Sequence, residues 1–232
     1  MTSAGAGQDF DTVILTGGSA ARMGGVDKPG LAVGDTPMLV SVAQAAMSAG
    51  TSRLILVGPA RPGAVDDGLV ALADGRTGRL AMVQEEPAGS GPVAGLRRGL
   101  AEATARWLVL LAADLPFVTA AHLTAMLTAG RLAAQDPAAD PAAGTSNGVV
   151  AVDASGHPQW LISCWRAVSL RAALTRYDGG SLRGLFTPLR PALIRLEATG
   201  ILAPWLDCDT PADLAAAQHA WQRALRKAEA DS

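Results

Sequence analysis

The chain has 232 residues and a formal net charge of −2, with 49% of its residues apolar and only 4% aromatic. That length suits one α/β domain whose core is mostly Ala, Leu and Val. The charge balance argues against a basic nucleic-acid-binding face, and no polybasic run points to an anionic membrane surface. The longest strongly apolar run, Trp107–Ala113, is too short to span a bilayer.

Residues 1–9 read as a flexible tail with neither a basic n-region nor an apolar h-region, so a cytoplasmic protein is the expectation. "FDTVILT" then reads as a first buried strand, ended by Gly17-Gly18. "RLILVG" (53–58), "LAMVQ" (80–84) and "RWLVLLAAD" (106–114) read as three more. Each is a near-continuous apolar run, the pattern of parallel strands covered on both faces. Helical spacing lies between them at Pro37–Gly50, Pro92–Ala105 and Thr119–Gly130, the last with Thr119 placed to cap it.

Residues 133–147, "AAQDPAADPAAGTSN" from Ala133, read as a mobile loop carrying no motif. "GVVAVD" and "PQWLISCW" read as strands, "SLRGLF" as a short helix and "ALIRLE" as a strand. "WLDCD" reads as a last short strand before an amphipathic helix from about Pro211 to Lys227. The alternation implies a single doubly wound, mostly parallel (mixed) sheet with helices on both faces, one domain over residues 10–232. Cys164 and Cys208 make no disulfide framework and are expected as reduced thiols near the core.

The segment "LTGGSAARMGGVDKPGL" (15–31) follows the first strand directly. In an open parallel sheet the ligand crevice lies beyond the carboxyl ends of the strands. Free backbone N–H groups in a glycine-rich turn make an anion nest, and Arg22 and Lys28 add full positive charges. A Walker loop does not fit, since Pro29 follows Lys28, and G-x-G-x-x-G does not fit either. The plain alternative is a surface loop with two solvated cations. Asp114 ends the fourth strand just before Leu115-Pro116, where a carboxylate is costly unless paired or metal-bound. Alone it reads equally as a strand-end acid. Opposite two cations, magnesium binding is favoured, because Mg²⁺ takes one or two carboxylates plus phosphate oxygens.

Here the sequence resembles a known family. The loop is similar to the L-x-G-G-x-S-x-R-M-G-x-x-K signature of nucleotidyltransferases that activate sugars, polyols and molybdopterin. "RMGGVDK" most resembles the molybdenum cofactor guanylyltransferases. The family's Ser falls at Ala20, with Ser19 one place earlier. "EEPAGSGPVAGL" (85–96) is similar to an acidic residue followed by G-P-L-A-G, and "LAADLPFV" (111–118) to C-D-x-P-F with Ala113 for Cys. "GHPQWLISCWR" (156–166) is similar to an H-P segment and "GGSLRGLF" (179–186) to a basic helix. "DCDTPADL" (207–214) is similar to N-x-N-T-P-E-D-L, with aspartates for the asparagines. The likeness covers residues 10–222 in order.

The resemblance implies a Rossmann-like nucleotidyltransferase fold and a nucleotide site at Leu15, Thr16, Gly17, Gly18, Ser19, Arg22, Met23, Gly24, Lys28, Glu86, Gly91, Pro92, Gly95 and Asp114. It implies catalytic roles for Arg22, Lys28 and Asp114, and Mg²⁺ on Asp114 and Asp209 with Asp207 in support. It implies an acceptor cleft at His157 and Arg183. From the residues alone, Asp209 also reads as a helix cap, Glu85-Glu86 as solvated loop acids, His157 as a turn residue and Arg183 as a solvated helix residue. Trp160 reads as core, and His122 and His219 as helix-surface residues.

The resemblance points first to transfer of GMP from GTP to the phosphate of a molybdopterin-type cofactor, with transient contact to molybdenum-cofactor proteins. A cytidylyltransferase for the same pterin, favoured by the aspartates of "DCDTPADL", and a nucleotidyltransferase for another phosphorylated metabolite stand beside it. A non-catalytic nucleotide-binding delivery protein is the reading from a different class.

Overall fold

The computed structural model describes residues 9–17, 27–61, 63–73, 79–135, 146–198 and 202–230. Most of the expected tail, the middle of the glycine loop and residues 136–145 of the expected mobile loop lie outside these.

The first half of the chain alternates as its apolar runs require. Strand β1 (Phe10–Leu15) leads through a 3₁₀ turn (Lys28–Gly30) and a small hairpin, β2 (Ala32–Val33) with β3 (Thr36–Pro37), into α1 (Met38–Ser48). Then come β4 (Leu54–Val57), α2 (Ala64–Leu72), β5 (Leu80–Val83), α3 (Pro92–Glu102) and β6 (Trp107–Ala112). The second half holds α4 (Ala120–Ala133), β7 (Gly148–Val152), β8 (Pro158–Arg166), α5 (Ala167–Arg176), α6 (Leu182–Phe186), β9 (Ala192–Arg195) and α7 (Pro211–Ala230).

Seven strands form one sheet in the order β5-β4-β1-β6-β8-β7-β9, and only β8 runs against the others. Side chains alternate between two cores. Ile14, Leu54, Val109 and Leu111 bury under α1, α2 and α4, while Val13, Ile55, Leu108 and Leu110 bury under α3, α5 and α6. The sheet is therefore mixed, mostly parallel and covered on both faces.

Several elements depart from the expectations of the sequence. Helix α2 was hidden by Gly63 and Gly68 at its start and centre. Helix α5 follows β8 with no intervening breaker, so Trp165–Arg166 and Ala167 run from strand straight into helix. Pro37 lies just before α1, pairing with Ala32 in the hairpin. "WLDCD" is not a strand: residues 203–209 form irregular backbone. Its apolar members are spoken for otherwise, with Leu206 and Cys208 packing into a third core with Val33, Met38, Phe117, Ala217 and Trp221.

The strand order reverses between β1 and β6: α1 carries the chain from β1 towards β4, and α3 carries it back to β6. Such a switch point opens a crevice at the carboxyl ends. Leu15 pairs with Ala112, so Gly17 and Asp114 each follow by two residues the last pair of these neighbouring strands, at the carboxyl ends where that crevice opens.

Candidate active site

Lys28 reaches the crevice from the 3₁₀ turn. Pro29 and Gly30 follow it in that turn, whose bonds run from Gly30 N–H to the Asp27 carbonyl (3.1 Å) and from Leu31 N–H to the Lys28 carbonyl (2.9 Å). The ammonium donates to Asp209 Oδ1 at 2.9 Å, and the Lys28 side chain is only 13% exposed.

Asp209 is held there because the helix cap falls elsewhere. Thr210 N–H and its hydroxyl both donate to Asp213 Oδ2 at 2.7 Å, and Asp213 N–H donates back to Thr210 Oγ1 at 3.2 Å. This reciprocal capping box starts α7. Asp209 is therefore not the cap, and its carboxylate faces Lys28.

Asp114 completes the cluster. Burial pushes its carboxyl above the ordinary value; its own backbone N–H pulls the other way, Asp207 and Asp209 push it further up, and Lys28 lowers it. Asp207 is raised as well, first by desolvation and then by Asp209. The thiol of Cys208 rises to about 12, through burial and then the charges of Asp114, Asp207 and Asp213. Among the described residues, three carboxylates thus lie near one ammonium, and Asp114 and Asp207 are harder to ionise there than an ordinary aspartate.

That imbalance fits a hard divalent cation. Among the described residues no group of three or more His, Cys, Asp or Glu is arranged to hold a metal alone. A Mg²⁺ ion held by one or two carboxylates and completed by phosphate oxygens suits such a donor set.

The ends of β1 and β4 touch beside this cluster. Thr16 N–H donates to the Val57 carbonyl at 2.8 Å, and Gly58 has φ +148°. A Cβ on Gly58 would collide with the Thr16 hydroxyl and the Gly17 amide, so only glycine fits. Arg61, just after β4, spans the mouth of the loop. Its Nε donates to Asp27 Oδ1 (2.7 Å) and Oδ2 (3.0 Å), and its terminal nitrogens donate to Thr16 Oγ1 (2.9 Å), the Thr16 carbonyl (2.6 Å) and the Pro59 carbonyl (3.0 Å). No motif marks Arg61 in the sequence; its only signal is a lone arginine among prolines and glycine after a strand.

The remaining candidates are distributed unevenly. Leu15, Thr16 and Gly17 stand at the end of β1, and the Leu15 carbonyl is taken by Ala113 N–H at 3.2 Å. Glu86 is exposed, whereas Glu85 is 8% exposed and accepts from Gly89 N–H at 2.9 Å. The acid turned toward Gly17 is therefore Glu85, whose Oε1 lies 3.8 Å from where a Gly17 Cβ would be, and Glu85-Glu86 are not two solvated loop acids. Gly91 precedes α3 at φ 92° and is exposed along with Pro92. Gly95 faces the sheet rather than the crevice: a Cβ there would meet Leu15 Cδ2 at 3.3 Å. Gly18, Ser19, Arg22, Met23 and Gly24 lie outside the described residues.

Of the residues expected to meet an acceptor, His157 is placed by β8: Leu111 pairs with Ile162, so β8 begins beyond the end of β6 and the β7–β8 turn lies at the carboxyl end of that strand. His157 sits on that turn, 78% exposed, with Nδ1 3.7 Å from Asp153 Oδ1. Asp153 is held below the usual carboxylate range, chiefly by the His157 backbone N–H. Arg183 is exposed on α6, which packs on the face opposite α1. Trp160 is half-buried against Phe186. His219 is exposed on α7, but His122 is no surface residue. It is 7% exposed, accepts from Thr119 N–H at Nδ1 and bonds the Glu197 carbonyl through Nε2 at 2.8 Å.

Residues 12–192 match the MobA-like NTP transferase domain. The chain belongs to that family. It is a nucleotidyltransferase by family, and its fold recurs in solved structures. A nucleotidyl transferase from Methanothermobacter thermautotrophicus superimposes with a TM-score of 0.64 at 20% identity, covering 92% of this chain and 98% of that one. The 2-C-methyl-D-erythritol 4-phosphate cytidylyltransferase of Thermus thermophilus gives 0.62 at 16% identity, covering 90% and 97%. Rv0371c of Mycobacterium tuberculosis gives 0.61 at 24% identity, covering 92% and 99%. No curated protein matches the chain significantly. Among the described residues no helix is long and apolar enough to cross a membrane.

Proposed function

We propose that this chain transfers a nucleoside monophosphate from a Mg²⁺–nucleoside triphosphate to the phosphate group of a small phosphorylated metabolite. The observation that carries it is the juxtaposition of Asp114, just beyond β6, with the ion pair between Lys28 of the 3₁₀ turn and Asp209 before α7.

Lys28, on the 3₁₀ turn, meets the β- and γ-phosphates as a point charge and offsets the charge that builds on the leaving pyrophosphate. Mg²⁺ on Asp114 and Asp209 would supply Lewis-acid neutralisation of the triphosphate oxygens. An acceptor phosphate oxygen attacks the α-phosphorus in line; the new P–O bond forms as the α–β bond breaks. A phosphate monoester already carries charge near pH 7, its second pKa being about 6, so no general base is needed. The chain's contribution is position and electrostatics.

Within this class the acceptor and base are narrower questions. GTP with a molybdopterin-type acceptor is one pair, from the likeness of the glycine loop. CTP is the other base to try: Asp207 and Asp209 replace the asparagines of the guanylyltransferase pattern, and the Thermus protein of the same fold is a cytidylyltransferase. The test is pyrophosphate release with GTP, CTP, ATP and UTP against a panel holding molybdopterin and polyol or sugar phosphates. Mg²⁺-dependent release with one pair is expected, lowered by on the order of 100-fold or more in Lys28→Ala and Asp114→Ala. Binding of a triphosphate with no release against any acceptor would favour a delivery protein instead.

A further inference from the structure

We propose that Arg61 is a positioning residue for nucleotidyl transfer: its guanidinium ties the end of β1 to the turn that carries Lys28. The proposal rests on the nucleotidyltransferase reading and adds a residue to its machinery.

The guanidinium is almost enclosed, its side chain being 9% exposed. It is planar and its donors point in fixed directions. One edge is committed to Thr16, at both the hydroxyl and the carbonyl, and the Nε edge to both oxygens of Asp27. Thr16 is in turn fixed to β4 through the Val57 carbonyl, which accepts from both its amide and, at 3.1 Å, its hydroxyl. Asp27 is tied to the 3₁₀ turn by its carbonyl, which accepts from Gly30 N–H at 3.1 Å. A continuous chain of hydrogen bonds thus runs from the sheet through Arg61 to Asp27, the residue before Lys28.

The Asp27 half of the ion pair is 52% exposed, so its worth to folding alone is small. Its geometry matters more. The contact brackets both ends of the glycine loop, and a shift of about 1 Å in a catalytic group can cost on the order of 100-fold in rate. Lysine cannot replace Arg61, because an ammonium is a point charge and lacks the two-edged fork.

The test is a double-mutant cycle on Arg61 and Asp27, read by calorimetric titration of GTP, CTP, ATP and UTP with Mg²⁺, alongside melting curves. Arg61→Lys is expected to weaken the triphosphate that wild type binds by on the order of tenfold, with a melting temperature close to wild type. Asp27→Asn is expected to lose a similar factor, and the double variant little more than either. Where turnover is measurable, kcat falls while KM for the acceptor holds. Wild-type binding by Arg61→Lys, or fully additive losses, would overturn the positioning role. Should wild type bind triphosphate but transfer nothing, the transferase reading falls while the cycle still decides whether Arg61 orders the triphosphate site. Should it bind none, both are withdrawn.

Discussion

Burial and the carboxylates of Asp207 and Asp209 make the charged form of Asp114 costly in the folded chain. The folded state therefore keeps this proton to a higher pH than the unfolded chain does. Between the ordinary carboxylate value and the raised one, the folded form binds more protons, so this group's contribution to stability falls as pH rises and stays lower above that window. Asp114→Asn removes the charge and keeps an acceptor for the backbone N–H. Without ligand it is expected to melt higher than wild type at pH 8, with a smaller gain at acid pH, while Mg²⁺-dependent binding is lost. A lower melting temperature at pH 8 would show that the carboxylate is already neutralised within the protein. Lys28 and Asp114 were legible as candidates because a glycine-rich loop with cations follows the first strand and an acid ends the fourth, although Asp114 alone read equally as a strand-end acid. The placement of Arg61 and Glu85 was not legible: they are held by backbone atoms of Thr16 and Gly89, which no side-chain pattern reports. From the residues alone Asp209 read also as a helix cap, but Thr210 and Asp213 form the capping box of α7 between them.

At the scale of elements, strands were read correctly where β-branched and leucine-rich runs are buried on both faces, as in β1 and β6. The one false strand, "WLDCD", has apolar residues that anchor a loop into the core under α7 rather than alternating on a sheet. Helix α2 was missed because glycines interrupt it, and α5 because nothing separates it from β8. Helix α6 is short and held by contact rather than by its own length. Phe186 stacks on the fully buried Trp165 with centroids 4.2 Å apart, and Trp165 Nε1 donates to Ser163 Oγ at 2.8 Å. Phe186→Ala is expected to destabilise the fold by about 3–5 kcal/mol in urea unfolding. A loss below about 1 kcal/mol would mean that α6 repacks without it.

Across the whole molecule, the sheet's switch point and the third core converge on one place. The switch point brings the ends of β1 and β6 together, and Cys208 and Phe117, in one core with α7, bring Asp207 and Asp209 close to Asp114. Segments 181 positions apart in the chain thus meet where, among the described residues, Asp114, Asp207 and Asp209 surround Lys28. Triphosphate and Mg²⁺ should therefore bind together and not apart. The most direct measurement is calorimetric titration of the wild type with GTP and CTP, with and without Mg²⁺, repeated on Lys28→Ala and Asp114→Asn. One nucleotide is expected to bind wild type tightly only when Mg²⁺ is present, and neither variant is expected to hold it. Equal binding without the metal, or unchanged binding in both variants, would contradict the account.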